Sequence, residues 1–238
     1  MGADPGRLPM KYVFQFGVVW DHLPQLLEGA WLTLRLSLGA FALGFAVAVM
    51  LAFLRTAGPR GVRTAIAAYV EIIRNTPFLV QLFIIYFSLP ALGIRMETIT
   101  AALVGMSINF SGYATEILRS GIEAVPKSQI EAGHSLGFTR MEIFRHIVAF
   151  PALRTVYPAL ASQFVLLMLG SSVVAAISAE ELTAVTNSLQ STTFRAFEFY
   201  FVATAMYLAM ALGSRVLLNA LYWFVFERRQ PLREAWSR

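Results

Sequence analysis

Four polar side chains lie close together in an otherwise apolar stretch, and each could form hydrogen bonds. They are Asn109, Ser111, Tyr113 and Glu116. Amide, hydroxyl and carboxylate groups are costly in hydrocarbon unless they face a partner or a water-filled cavity. Such a dense series of polar groups is not typical of a lipid-facing surface. We therefore predict that this stretch faces protein or water.

Pro77 interrupts a second apolar stretch and follows Glu71 and Arg74. Proline removes a backbone donor and disfavours helical geometry at the residue before it, so a kink or a break is expected here. One interpretation is purely structural, with Glu71 and Arg74 as an ion pair at the membrane interface. The other is that Pro77 opens the helix beside a transport path.

Ser171 and Ser172 directly follow Gly170 in another apolar stretch. Small and hydroxylated residues permit either close helix contact or a break, and close packing is the simpler interpretation. A nucleophilic serine would need a base on a neighbouring segment. The histidines of the chain are His22, His134 and His146. None of these histidines lies in an apolar stretch, so none is placed to act as the base for a serine there. An intramembrane hydrolase is therefore a poor alternative, and no catalytic residue is predicted.

Other chemistries are also excluded by composition. The chain has no cysteine, which rules out disulfides, thiolate metal sites and cysteine nucleophiles. Three scattered histidines do not make a metal site, so no metal is predicted. No P-loop is present, and any ATP hydrolysis must therefore take place in a partner. No basic patch with interleaved aromatic residues points to nucleic acid as a partner.

The elements that position these residues are predicted to be membrane-spanning helices. Of 238 residues, 57% are hydrophobic and only 14% are charged, which is typical of an all-α polytopic membrane protein. Five segments approach the roughly 20 apolar residues that cross a bilayer. They are 36–54, 75–94, 98–115, 155–179 and 199–226. We expect an N-terminal segment, 1–28, with a short amphipathic helix, then a transmembrane domain, 29–226, and a tail, 227–238.

An odd number of spans places the two termini on opposite faces of the membrane. With this topology most arginines and lysines fall on the face that holds the central polar loop and the C-terminus. The other face carries Arg7, Lys11, Arg95 and Arg195, and Arg35 borders the first span on that side. The excess of positive charge predicts that the central loop and C-terminus are cytoplasmic and the N-terminus lies on the outer side.

The central loop, about 120–153, is predicted to contain two short helices. Ser128 and Glu131 have the spacing of a capping box for the first helix, and Gly137 is expected to end it with a sharp turn. The second segment, 140–147, is expected to end before Pro151. An apolar patch of bulky residues in an ordered polar loop fits a groove in another protein.

Two sets of residues carry a family resemblance. In the loop, Glu131, Ala132, Gly133 and Gly137, with Pro151 further on, resemble the EAA loop of ABC importer permease subunits. The run 69–82, YVEIIRNTPFLVQL, is similar to the signature of the polar amino acid branch of these permeases, the histidine, arginine, glutamate and opine type. Further matches follow in order at 116–122, 181–183 and 193–198.

The resemblance implies a type I permease fold with five transmembrane helices, embedded in the lipid of a bacterial inner membrane. It assigns the loop residues to coupling with an ATPase subunit, and it assigns four side chains to the path of the solute. The coupling residues are Glu131, Ala132, Gly133, His134, Leu136, Gly137 and Phe138. The path residues are Asn109, Tyr113, Ser171 and Ser172.

The resemblance also implies partners and a mechanism. Two ATP-binding cassette subunits, which hold ATP and Mg²⁺, are expected below the membrane, and this chain itself is expected to bind no cofactor. A second permease subunit, either a copy or a paralogue, completes the pathway, and a periplasmic binding protein delivers a polar amino acid or a related small solute. Transport then proceeds by alternating access.

A channel opened by a cytoplasmic regulatory protein is the alternative from another functional class. It predicts flux without ATP. The sequence contains no repeated filter-like segment and no ring of acidic residues, and both absences argue against a channel.

Overall fold

The computed structural model describes residues 12–227, which form helices joined by short connections. The helices are α1 (Gly17–Asp21), α2 (Leu23–Ala57), α3 (Arg60–Arg74), α4 (Phe78–Phe83), α5 (Thr98–Glu123), α6 (Lys127–Ser135), α7 (Arg140–Ile143), α8 (Ala149–Gly170), α9 (Leu182–Thr193) and α10 (Ala196–Tyr222). Shorter π and 3₁₀ turns prolong α4, α8 and α10 and join α7 to α8. No β-strand occurs between residues 12 and 227, and the predicted all-α class is confirmed.

Three helical bodies are long and apolar enough to cross a membrane. Within the described residues they are Leu23–Ala57, Arg140–Ile177 and Ala196–Glu227. A fourth candidate is a bent pair, Arg60–Arg74 with Phe78–Leu92, whose axes differ by 106°. The predicted third span corresponds to α5, which is not among them although it has 26 residues.

The first long helix is longer than the sequence predicted. α2 has 35 residues and includes Arg35, whereas the expected span covered 36–54. The expected amphipathic helix near the N-terminus is divided at His22: α1 precedes this residue and α2 begins after it. Pro24 lies in the first turn of α2, where its missing N–H removes no helical hydrogen bond. The rest of the expected terminal segments, 1–11 and 228–238, lies outside the described residues.

α5 is the central helix of the fold, because it packs against α2, α3, α4 and α8. Its buried side chains include Met106, Phe110 and Ala114. Glycines bring the helices close together: a Cβ atom on Gly44 of α2 would lie 2.7 Å from the carbonyl oxygen of Ser107 on α5. A helix surrounded by protein needs less hydrophobicity than one facing lipid. This explains why α5 combines deep burial with polar side chains.

The chain breaks at Pro77, between α3 and α4. α3 ends at Arg74, Pro77 has extended backbone geometry, and α4 begins at Phe78.

The amphipathic helix α3 was not predicted from the sequence, although its buried residues Ile66, Val70 and Ile73 have helical spacing. The expected ion pair of Glu71 with Arg74 is also not observed; the Arg74 guanidinium lies over the ring of Tyr113, 5.7 Å from its centroid.

One continuous helical body leads from the central loop into the core. α7, a π turn over Phe144–Val148 and α8 follow one another without interruption. The expectation that Pro151 ends the second loop segment is wrong. Pro151 is the third residue of α8, directly after the π turn over Phe144–Val148, and it lacks the N–H that would bond back into that turn. The helix nevertheless passes through this proline.

The Gly44 contact gives a test of the packing between α2 and α5. Gly44→Ala is expected to lower the free energy of unfolding by about 1–3 kcal/mol, because the new methyl group meets backbone that cannot move aside. Gly213→Ala on α10 is the matched control, since a Cβ there has no neighbour within 4 Å. Thermal unfolding of the purified protein should give a lower Tm for Gly44→Ala only. Equal Tm values for both variants would contradict the close contact.

Candidate functional site

The first short helix of the central loop ends in a tightly bonded turn. The N–H of Phe138 donates to the Gly133 carbonyl at 3.1 Å, and the N–H of Gly137 donates to the His134 carbonyl at 2.9 Å. Together these two bonds form a Schellman motif, which satisfies carbonyl groups at the end of α6. Gly137 has a φ of 80°, a left-handed conformation that strongly favours glycine. The loop is therefore a jointed and ordered unit.

The start of α6 differs from the expectation. Pro126 is the N-cap residue, and no side chain caps this helix, so the predicted capping box of Ser128 and Glu131 is wrong. The capping box belongs to α7: Thr139 accepts from the Glu142 N–H, and the Glu142 carboxylate accepts from the Thr139 N–H at 2.8 Å. These bonds hold the pKa of Glu142 below its usual value.

α6 is attached to the long helix through its one buried residue, Gly133. A Cβ atom on Gly133 would lie 2.6 Å from Cδ1 of Ile147 and 3.0 Å from Cγ1 of Ile143. Both isoleucines belong to the continuous body that becomes α8. A small cluster with Val125 and Val148 completes this contact. The jointed loop is thus packed against the base of the long helix.

The remaining predicted coupling residues share an exposed surface. It consists of Glu131, Ala132, His134, Leu136, Gly137 and Phe138. Leu136 is 73% exposed and Phe138 is 38% exposed, which is unusual for large apolar side chains at a tight turn. We call these six residues the loop surface. Its chemistry, two apolar groups beside a carboxylate and an imidazole, suits contact with a protein groove.

A partly open cavity of 290 Å³ lies between α5 and α8. Its walls include Asn109, Tyr113 and Gln163, and the rest of the lining is apolar. Asn109 and Tyr113 are therefore brought together, one helical turn apart. None of the lining residues is charged. The cavity can offer hydrogen bonds to a small polar solute, but it offers no full charge.

The two predicted serines have different surroundings. Ser171 is completely buried and donates to the Met168 carbonyl at 2.7 Å. Ser172 is half-buried and donates to the Leu169 carbonyl at 2.9 Å. Neither lines the cavity. In this conformation the hydroxyl groups bond to the backbone where α8 changes to a 3₁₀ helix, an interaction that closes the helix end.

Gln81 was missed as a functional residue, although it belongs to the family-like run 69–82. Its amide nitrogen donates to the carbonyls of Ile73 at 2.8 Å and Thr76 at 3.1 Å. Its amide oxygen accepts from the side-chain nitrogen of Asn109 at 3.0 Å. Gln81 therefore satisfies carbonyls freed by the break at Pro77 and links that break to the cavity wall. The sequence signal was a lone glutamine four residues after the proline.

The chain matches the model of the family described as binding-protein-dependent transport system inner membrane component, over residues 40–226. This match covers well over half of the chain. The protein belongs to this family of inner membrane transport components.

Individual relatives are similar over nearly their whole length. The glutamine transport system permease protein GlnP of Escherichia coli (strain K12) is 32% identical over 221 residues, covering 92% of this chain and 99% of GlnP. The octopine transport system permease protein OccM of Rhizobium meliloti is 31% identical, with 90% of this chain and 91% of OccM covered.

Solved structures also match the fold. A chain from the crystal structure of an amino acid ABC transporter with histidines has a TM-score of 0.81 and 32% identity, and the match covers 89% of this chain and 99% of that chain. The MetNI methionine ABC transporter in an inward-facing conformation has a TM-score of 0.74 at 18% identity, covering 85% of this chain and 96% of that chain. The second similarity concerns the fold alone.

The bonds of Gln81 give a prediction about stability. Gln81→Leu leaves two backbone carbonyls and the Asn109 amide without their partner, and unsatisfied buried groups cost about 1–3 kcal/mol each. A clear drop in the Tm of the purified protein is therefore expected.

Gln163→Leu is the matched control for this loss. Gln163 lines the cavity, and no hydrogen bond to its side chain is observed within the described part of the chain. Its Tm should remain within about 2 °C of the wild type, since a substitution away from packed or bonded groups changes stability little. Equal losses in both variants would contradict the role of Gln81 at the break.

Proposed function

We propose that this chain is the membrane-spanning permease subunit of an ATP-driven ABC importer for a polar amino acid or a related small solute. The observation that carries the proposal is the exposed loop surface, attached through Gly133 to a helical body that continues into the core. Family membership supports the subunit type. Relatives named for glutamine and octopine transport, which cover nine-tenths of this chain, support the solute class.

The proposed topology has five spans. They are α2, the unit from α4 to Leu92, α5, the body containing α8, and α10. With 26 residues, α5 is about 39 Å long, which is enough to cross the hydrocarbon core at about 1.5 Å per residue. The distribution of positive charge supports a periplasmic N-terminus, and a cytoplasmic loop surface and C-terminus.

The proposed coupling works through rigid packing. An ATPase subunit receives Leu136 and Phe138 in a groove, and Glu131 contributes an ionic contact at its edge. Closure of two ATPase subunits on ATP displaces α6, and the packed contact of Gly133 with Ile143 and Ile147 passes this displacement to α8. This chain supplies no catalytic group, because ATP and Mg²⁺ are held by the partner subunits.

The cavity is the proposed place of solute contact within the membrane. Its amide and phenol groups, Asn109, Gln163 and Tyr113, can bond to a polar solute, while its uncharged wall favours one without a net charge. In the proposed mechanism, displacement of the loop moves α8 against α5 and so changes access to this cavity. Ser171 and Ser172 follow the end of α8 and bond to carbonyls of its last turn, so their proposed role is to stabilise this helix end rather than to bind the solute.

A second permease subunit and a periplasmic binding protein complete the proposed transporter. Large apolar side chains remain exposed along α10, among them Leu212, Val216 and Leu217. Such a surface needs lipid or another permease subunit to cover it. The binding protein selects the solute and delivers it to the periplasmic side.

Reconstitution of the complete transporter in proteoliposomes tests the coupling. Leu136→Asp places a charge in the proposed groove, and loss of a central apolar contact at a protein interface costs about 2 kcal/mol or more. ATP-dependent uptake of the solute should fall by about tenfold or more. Leu136→Met, which retains apolar bulk, is the matched control and should transport normally.

Membrane insertion and the amount of permease must be equal in both variants, because Leu136 is exposed and supports no internal packing. Full uptake by Leu136→Asp would refute the coupling role of the loop surface. Solute flux without ATP in the wild type would instead support the channel alternative.

A further inference from the structure

A basic pocket of 530 Å³ lies where α2, α3 and α5 meet, away from both the loop surface and the cavity. Its lining consists of Arg55, Arg60, Arg63, Thr64, Ala67, Arg119 and Glu123. Four guanidinium groups therefore surround one space, and one carboxylate shares it. The proposed transport mechanism does not involve this pocket.

Two of the arginines are fixed in place by ion pairs. Glu116 on α5 bonds to Arg55 at 2.5 Å and also to Arg119, and Arg119 pairs with Glu123 at 2.5 Å. The side chains of Arg55 and Arg119 are only 18% and 25% exposed. These ion pairs hold the guanidinium groups of Arg55 and Arg119 in fixed positions on one side of the pocket.

The other two arginines are available to a ligand. Arg60 and Arg63 lie on one face of α3 and are exposed. No carboxylate of residues 12–227 forms an ion pair with either of them. With Glu116 and Glu123 counted, the four arginines leave an excess of positive charge in the pocket.

The first turn of α3 adds to this positive potential. Pro59 is its N-cap residue and no side chain caps the helix, so the N–H groups of the first turn lack a side-chain acceptor. The positive end of a helix dipole favours an anion at this point. Arginine binds phosphate oxygens in a two-pronged geometry, which makes several guanidinium groups a favourable phosphate site.

We propose that this pocket binds the phosphate group of an anionic phospholipid at the cytoplasmic surface of the membrane. Its position fits a headgroup: α2 is an apolar, membrane-length helix that ends at Ala57, two residues before the helix that carries Arg60 and Arg63. Basic pockets between transmembrane helices on this side of a membrane suit anionic headgroups. The inference depends on the proposed membrane orientation and is independent of the transported solute.

The test measures lipid binding to the complete transporter, purified in detergent and stripped of lipid. Native mass spectrometry follows the retention of added phosphatidylglycerol, with phosphatidylcholine, which has a phosphate but no net charge, as the lipid control. The wild type should retain phosphatidylglycerol preferentially. Arg60→Gln and Arg63→Gln should each weaken its binding about fivefold, as expected for one arginine near an anionic surface.

Arg95→Gln is the matched control variant. Arg95 is also exposed, but it precedes the start of α5, whereas the pocket lies at the opposite end of that helix. Its removal should leave phosphatidylglycerol binding unchanged. Equal retention of both lipids, or wild-type binding in both pocket variants, would overturn the proposal.

Two further results would assign the pocket to another ligand. Binding of inorganic phosphate that depends on Arg60 and Arg63, without lipid preference, would identify a soluble anion and refute the lipid assignment. Loss of the ATPase subunit from the two pocket variants during purification would refute it as well, in favour of an acidic protein surface. A transporter with normal uptake but no lipid preference would contradict only this inference, not the proposed function.

Discussion

The contact between Gly133 and the isoleucines Ile143 and Ile147 is the interaction on which the proposed mechanism depends. It places the short exposed helix α6 directly against the base of the continuous helical body Arg140–Ile177. Because packed side chains transmit displacement rather than absorb it, movement of α6 has to move this body. A flexible linker at the same point would separate the loop from the core.

The break at Pro77 is the complementary feature on the other side of α5. A backbone break at membrane depth is tolerated only if its polar groups find partners. Gln81 supplies them, and it also bonds to Asn109 on the cavity wall. Gln81 thus joins α4 to α5 beside the cavity, and α8, which is continuous with the second loop helix, forms the opposite wall.

Several features could be predicted from sequence because they depend on one or a few neighbouring residues. The break at Pro77 and the sharp turn at Gly137 follow from the restricted or permissive backbone of these two residue types. The apolar helices follow from composition. The resemblance assigns Asn109 and Tyr113 to the path of the solute; both lie in the wall of the cavity, and their contact with a solute stays a prediction.

Features that depend on tertiary packing could not be predicted in the same way. The spacing of Ser128 and Glu131 fits a capping box, but Pro126 occupies the N-cap position of that helix without a capping bond, and the box forms at Thr139 instead. Pro151 is compatible with either the end or the first turn of a helix, and only the packing of the long body decides between them. The partners of Gln81 are brought to it by the bend, which the sequence does not specify.

Site-directed cross-linking tests the central claim most directly, and the absence of cysteine from the chain makes a single introduced thiol unambiguous. Leu136→Cys in the assembled transporter should form a cross-link to the ATPase subunit, and its yield should change when ATP binds. A cysteine at exposed Leu92, far along the chain from the loop surface, should form none. Absence of a cross-link from position 136 in every nucleotide state would contradict the account.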